Sequence, residues 1–113
     1  MKNAIFFLLF FSVAALVAHA PKDMDLNYDA DTAALTVTVH HKVSDADRHY
    51  IRRIEVYAGK ELLAEKTYER QETATAQEEM FLFIDKPLAR GTVVTVKAFC
   101  SLSGKKSARL EWE

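Results

Sequence analysis

Short runs of alternating apolar and polar residues recur along the chain and predict β-strands. The clearest run places Leu35, Val37 and Val39 on one side and Thr36 and Thr38 on the other, a period of two that is typical of half-buried strands. Comparable runs separated by polar turns predict further strands at residues 24–28, 49–57, 61–68, 80–84, 92–100 and 108–112. About seven short strands predict an all-β fold, a seven-stranded immunoglobulin-like antiparallel β-sandwich.

Two segments allow more than one interpretation. Residues 61–72 are rich in Glu, Leu, Ala and Lys, which favour helices. Because Gly59 supplies a turn after a strand, we instead predict that residues 61–68 return antiparallel in a hairpin. The apolar run at residues 80–84 is expected to be buried on both faces, or to be covered on one face by its neighbours. The residues between these strands, 71–77, predict a polar loop.

The N-terminus has the features of an export signal. Lys2 precedes an apolar run at residues 4–17, and Ala18-His19-Ala20 gives a small-residue ending. The run is shorter than the roughly 20 residues of a transmembrane helix. We therefore predict a signal peptide at residues 1–20, a single domain at residues 21–113 without a membrane span, and a periplasmic or secreted location. Pro21 fits poorly in a peptidase site, so an uncleaved N-terminal anchor is the alternative.

Charge and cysteine content narrow the function further. The formal net charge is −1, which argues against nucleic acid as a partner because phosphate binding needs a basic stripe. Cys100 is the single cysteine, so the domain forms no internal disulfide. In an oxidising compartment a lone thiol is best tolerated when it is buried as a small apolar residue or when a metal occupies its sulfur.

Three of the four histidines lie within residues 40–49. Continued alternation places His41 with the apolar residues of its strand and His40 with the threonines, so these neighbours should point to opposite faces. His41 ends one predicted strand, His49 begins the next and Cys100 ends a third. Imidazole and thiolate together bind iron, zinc or copper. His41, His49 and Cys100 are therefore the candidate metal ligands, provided that Cys100 reaches the same rim.

Other cysteine and histidine chemistries fit the sequence less well. No glycine-rich turn beside Cys100 supplies an oxyanion hole for a nucleophilic Cys–His pair. A zinc finger needs close pairs of cysteines, which one cysteine cannot give. A blue-copper site has the right ligand types, but no His or Met follows Cys100 in the usual ligand loop of that class.

Two runs resemble a known family. They are residues 49–56, His-Tyr-Ile-x-x-Ile-Glu-Val, and residues 94–104, Val-x-Val-x-Ala-Phe-Cys-Ser-Leu-Ser-Gly. Together with His41 they resemble the ferrous-iron domain of superoxide reductases, the desulfoferrodoxin and neelaredoxin family, over residues 35–104. The resemblance implies a seven-stranded sandwich and a mononuclear iron held by four equatorial histidines and one axial cysteine thiolate. By position, His41, His49 and Cys100 match three of these ligands.

The chain departs from the family pattern at several positions. Lys42 stands where proline follows the first histidine, Arg53 where tryptophan is common, and Ser103 where the last histidine ligand belongs. No histidine lies between residues 21 and 39 to match the early ligand. His40 is a candidate fourth ligand only if its loop rearranges, and water or a carboxylate such as Asp45 or Asp47 would otherwise complete the coordination.

The resemblance implies superoxide reduction or electron transfer at a His/Cys iron site, with zinc or copper as other metals and a small redox protein as the electron donor. A second hypothesis belongs to a different class of function. In it, the sandwich has lost the metal and serves as a binding module that uses a sheet edge or its rim loops.

Overall fold

The computed structural model describes residues 23–102 and 104–112, which form two antiparallel β-sheets. The predicted signal peptide lies outside these residues. The strands are β1 (Met24–Asp29), β2 (Ala34–His40), β3 (Ile51–Ala58), β4 (Glu61–Thr67), β5 (Ala76–Leu82), β6 (Val93–Cys100) and β7 (Lys105–Glu111). One sheet has the order β1-β2-β5 and the other the order β4-β3-β6-β7. The all-β sandwich predicted from the alternation is confirmed.

The core lies between the two sheets, where their apolar faces meet. Val37 and Val39 of β2, together with Val56 of β3 and Val94 and Val96 of β6, are fully buried. Their strands place every second side chain inward, so β-branched residues at these positions pack tightly while the intervening residues reach solvent. The chain crosses between the sheets after β2, after β4 and again after β5. These crossings position the loops at the rims of the sandwich.

The hairpin predicted after Gly59 is present, and the helical alternative for residues 61–72 is wrong. Strand β4 pairs antiparallel with β3, with Ala58 opposite Glu61. Gly59 has a φ of 62°, a left-handed conformation that glycine adopts without steric cost. The tight turn and the cross-strand pairing therefore prevail over the helix propensity of the residues that follow.

Strand β5 differs from its prediction in both extent and burial. It begins at Ala76, inside the predicted polar loop, and Gln77 within it is buried. Met80 and Leu82 are 56% and 58% exposed, whereas Phe81 is only 8% exposed. Full burial on both faces is therefore wrong, and the alternative of cover on one face holds. The reason is that a two-sheet sandwich buries only the inner face of each sheet, so the outer face of β5 reaches solvent.

Strand β3 begins at Ile51 and contains an irregularity that simple alternation does not predict. The register of β3 against β6 shifts between Ile51 and Arg53, as in a β-bulge, where one strand carries an extra residue. Ile51 and Ile54 are consequently both fully buried although they are three positions apart.

Among the described residues, no helix is long and apolar enough to cross a membrane.

Candidate metal centre

The three candidate ligands come from the ends of three strands. His41 directly follows β2, His49 lies two residues before β3, and Cys100 is the last residue of β6. The connection from β2 to β3 leaves one sheet and enters the other at the same rim. Cys100 pairs with Ile51, so the end of β6 lies beside the start of β3. The fold thus brings all three residues together.

Their donor atoms are close enough to share one metal ion. One ligand atom from each of His41, His49 and Cys100 lies within 4.8 Å of the others. The Nε2 atom of His49 is 3.2 Å from the Sγ atom of Cys100. Bonds of about 2.1 Å to nitrogen and 2.3 Å to sulfur at a right angle would separate these two atoms by about 3.1 Å. The observed pair therefore fits two adjacent ligands of one ion.

The two imidazole rings present their donors from different directions. The ring centroids of His41 and His49 are 4.7 Å apart, and the ring planes are nearly perpendicular at 87°. The Nδ1 atom of His41 lies 2.8 Å from the Oε1 atom of Gln71. In metal-binding histidines, the ring nitrogen that does not bind the metal commonly forms a hydrogen bond, which sets the orientation of the ring.

A turn in the β2–β3 loop holds His49 at the rim. The backbone N–H groups of Arg48 and His49 donate to the carbonyl oxygen of Asp45 at 3.2 Å and 2.9 Å. The side chain of Asp45 accepts a further bond from the backbone N–H of Asp47 at 3.0 Å, as in an Asx turn. The polar residues that predicted a connection here therefore build a defined turn.

Ser101, which follows the end of β6, forms two hydrogen bonds with Tyr50, the residue after His49. The backbone N–H of Tyr50 donates to Ser101 Oγ at 3.1 Å, and the backbone N–H of Ser101 donates to the Tyr50 carbonyl at 2.8 Å. These reciprocal bonds connect the residues that directly follow His49 and Cys100. They hold the imidazole and the thiol next to each other without help from a metal.

The three residues open into a surface pocket of about 350 Å³. Its other lining residues are Leu102, Gly104, Lys105 and Lys106. Each of the three candidate ligands is half-buried, so a bound ion would have protein on one side and the pocket on the other. Lys106 forms an ion pair with Asp23 at 3.3 Å, and the exposed Lys105 adds positive charge at the entrance. Positive charge at the entrance of a pocket favours small anions.

The other residues considered as ligands are engaged elsewhere. The Nε2 atom of His40 is 2.7 Å from a carboxylate oxygen of Asp25, and its side chain is 47% exposed. Asp47 forms an ion pair with Arg70 at 3.1 Å. Over the described part of the chain, the cluster of possible metal ligands consists of His41, His49 and Cys100, and it does not include His40, Asp45 or Asp47. Ser103, at the position of the family's last histidine ligand, lies outside the described residues.

Arg53, which stands where the family commonly has tryptophan, packs on the outer face of the four-stranded sheet. Its guanidinium lies 5.5 Å from the centroid of the Phe99 ring and its Nε atom 3.2 Å from Glu55. The planar guanidinium thus covers an aromatic ring.

Sequence reasoning missed Gln71 and Ser101 as residues of this site. Gln71 falls in the predicted polar loop, yet it is only 1% exposed. No local pattern distinguishes a buried glutamine from an exposed one, because its burial depends on the β2–β3 loop that packs over it. Ser101 follows Cys100 directly, but its bond to Tyr50 depends on the pairing of β3 with β6.

The donor chemistry fits a mononuclear transition metal. Two imidazoles and one thiolate suit iron, zinc and copper, whereas magnesium and calcium prefer oxygen ligands. Three protein ligands leave coordination positions open toward the pocket, as in catalytic rather than structural sites. Over the residues that the structure describes, fold and site together define a seven-stranded β-sandwich with a candidate His₂Cys metal centre at one rim.

Among solved structures, the chain is similar to a superoxide reductase (neelaredoxin) from Ignicoccus hospitalis, with a TM-score of 0.57. The alignment covers 90% of this chain and 87% of that chain, at 18% sequence identity. No protein-family profile matches the sequence, and no curated protein matches it. At this identity the similarity shows a shared fold. The resemblance stated for residues 35–104 is confirmed at that level.

Proposed function

We propose that this chain is a metal protein of the superoxide reductase type, in which His41, His49 and Cys100 hold one iron ion. The observation that carries the proposal is the convergence of the three donor atoms within 4.8 Å on the rim of a sandwich. The superoxide reductase fold of the structural neighbour supports iron as the metal. Bound iron would supply one-electron redox chemistry at a position open to solvent. Superoxide would then take up one electron and two protons to give hydrogen peroxide.

The protein contributes ligands, orientation and charge. His49 and Cys100 are held 3.2 Å apart by the backbone pairing around Ser101, so the site needs little rearrangement to bind metal. Lys105 and Lys106 line the pocket, and the charge of Lys105 would attract an anionic substrate such as superoxide. Leu102 is exposed beside them and gives the entrance an apolar side. An electron from a small redox protein would enter at this same open rim.

The three-ligand set has a consequence for the choice of metal. A thiolate and two imidazoles bind zinc and copper as well as iron, and affinity for N and S donors rises from iron toward copper. The proposal therefore includes zinc or copper as competing occupants.

We further propose export through residues 1–20 to the periplasm or outside, with the uncleaved anchor as the alternative. N-terminal sequencing of the protein recovered from cells tests that part.

Metal content and superoxide turnover test the proposed function. Protein purified without oxygen or chelator should contain about one iron per chain, and Cys100→Ala and His49→Ala should lose it, while His40→Ala should retain it. Reduction yields one peroxide for each superoxide consumed, whereas dismutation yields one for every two. A folded parent that takes up no iron, zinc or copper would refute the metal site.

The metal-free binding module remains a second candidate because one surface favours it. Met80, Leu82 and Ile84 are more than half exposed and lie on or just after the edge strand β5. Exposed apolar side chains on a free sheet edge suit the addition of a strand from a partner. This function would survive Cys100→Ala unchanged, which separates it from the metal hypothesis.

A further inference from the structure

The side chain of Gln71 is buried between the candidate ligand His41 and the start of β3. Only 1% of the residue is exposed. Its Oε1 atom lies 2.8 Å from Nδ1 of His41 and 3.2 Å from the backbone nitrogen of Ile51. Its Nε2 atom lies 2.7 Å from the carbonyl oxygen of His41 and 2.9 Å from that of Thr73. The oxygen and the nitrogen of the amide therefore each have two hydrogen-bond partners.

The partners of Gln71 dictate which way its amide points. The backbone N–H of Ile51 can only donate, so the atom that faces it must be the carbonyl oxygen of the amide. The carbonyl groups of His41 and Thr73 can only accept, so the atom that faces them must be the NH₂ group. A reversed amide would oppose like groups at three contacts. The assignment thus follows from the backbone and not from a choice of rotamer.

This orientation determines the protonation pattern of His41. Because Oε1 of Gln71 has no hydrogen, the Nδ1 atom of His41 must be the donor in their 2.8 Å contact. In a neutral imidazole the other nitrogen then carries the lone pair. The Nε2 atom of His41 is consequently the one available to a metal.

We propose that Gln71 is a positioning residue that holds His41 as the Nδ1–H tautomer and leaves Nε2 as its metal donor. The same amide oxygen accepts from Ile51, two residues after His49, so one side chain aligns both sides of the rim. The metal part of this inference rests on the proposed function, whereas the tautomer is a property of the metal-free chain. Loss of such hydrogen-bond partners typically weakens metal binding by about 10- to 100-fold.

Gln77 offers a matched control in the same part of the chain. It is also a buried glutamine, 6% exposed, and it ties backbone groups together. Its Oε1 accepts from the backbone N–H of Glu72 at 2.8 Å, and its Nε2 donates to the carbonyl of Glu78 at 3.3 Å. None of these contacts involves a histidine. Gln77→Met therefore removes hydrogen bonds of a buried glutamine in the same part of the chain without touching His41.

The test is long-range ¹H–¹⁵N NMR of the histidine rings in the metal-free protein at about pH 8.5, above the ordinary histidine pKa of about 6.5. His41→Asn assigns the signals. His41 should carry its proton on Nδ1 in the parent and in Gln77→Met. Gln71→Met should lose this preference. An Nε2–H tautomer in the parent overturns the inference without any variant.

Metal affinity, measured by competition with a chromogenic chelator, is the second readout. Gln71→Met should raise the Kd for zinc or anaerobic Fe²⁺ by about 10- to 100-fold, and Gln77→Met should stay within a few-fold of the parent. An unchanged tautomer and affinity in a folded Gln71→Met protein overturn the role of Gln71 and leave the proposed function intact. A parent that binds no metal overturns the proposed function, while the spectrum still decides the tautomer.

Discussion

Metal binding should raise the thermal stability of this domain strongly, because only the folded chain holds the ligands together. His49 and Cys100 are 51 residues apart in sequence but 3.2 Å apart in the fold. A ligand that binds only the native state at 100 times its Kd stabilises it by about 2.7 kcal/mol. For a domain of this size, each kcal/mol raises Tm by about 4–8 °C. We therefore expect an increase of about 11–22 °C.

Differential scanning calorimetry under anaerobic conditions measures this shift. The metal concentration is set to 100 times the Kd found for the parent. Cys100→Ala should abolish the shift while changing the metal-free Tm only slightly, because Cys100 is half-buried and its truncation leaves no enclosed cavity. His40→Ala removes a histidine that is not one of the three candidate ligands and should keep the full rise in Tm on metal binding. An equal shift in the parent and in Cys100→Ala would refute the assignment of the thiolate as a ligand.

Three further predictions address the scaffold. Ile54→Ala should lower the unfolding free energy by about 2–5 kcal/mol in urea titrations, because the residue is fully buried; a loss below about 1 kcal/mol would contradict the described core. Burial and a hydrogen bond to Glu79 raise the pKa of Tyr68 well above its ordinary value. The stability that this tyrosine contributes is therefore complete below about pH 10 and falls at higher pH. Tyr68→Phe should lose less stability than the parent between about pH 9 and pH 11, and equal losses would contradict the shift. Ser101→Ala should lower the unfolding free energy by about 0.5–1.5 kcal/mol through its lost bond to Tyr50 and should weaken metal binding; an unchanged metal affinity would show that this bond does not position the site.

The fold was predictable from sequence because strand alternation is local. Residues such as Val37 and Val39 lie on one side of an extended chain whatever surrounds them, so the inward face of β2 followed from the alternation alone. The turn at Gly59 was likewise predictable, since its conformation is a property of a few neighbouring residues. Strand β5 was predicted less well, because the exposure of Met80 and Leu82 depends on whether a further layer covers the outer face of their sheet.

The candidate site was predictable only in part, for a similar reason. His41, His49 and Cys100 could be proposed from residue chemistry and from the resemblance of residues 35–104 to superoxide reductases. Their convergence depends on the crossing between sheets after β2 and on the pairing of Ile51 with Cys100. The sequence contains the residues but not the distance between them.

The sequence by itself determined the strands, the inward faces and the types of ligand, because these follow from periodicity and from side-chain chemistry. Only the tertiary structure decided which polar residues act together. His40 and His41 are neighbours in the chain, yet one bonds Asp25 and the other Gln71. The burial of Gln71 and its four hydrogen bonds exist only because two loops distant in sequence pack against each other. Contacts of this kind depend on sheet order and register, which no short stretch of residues encodes.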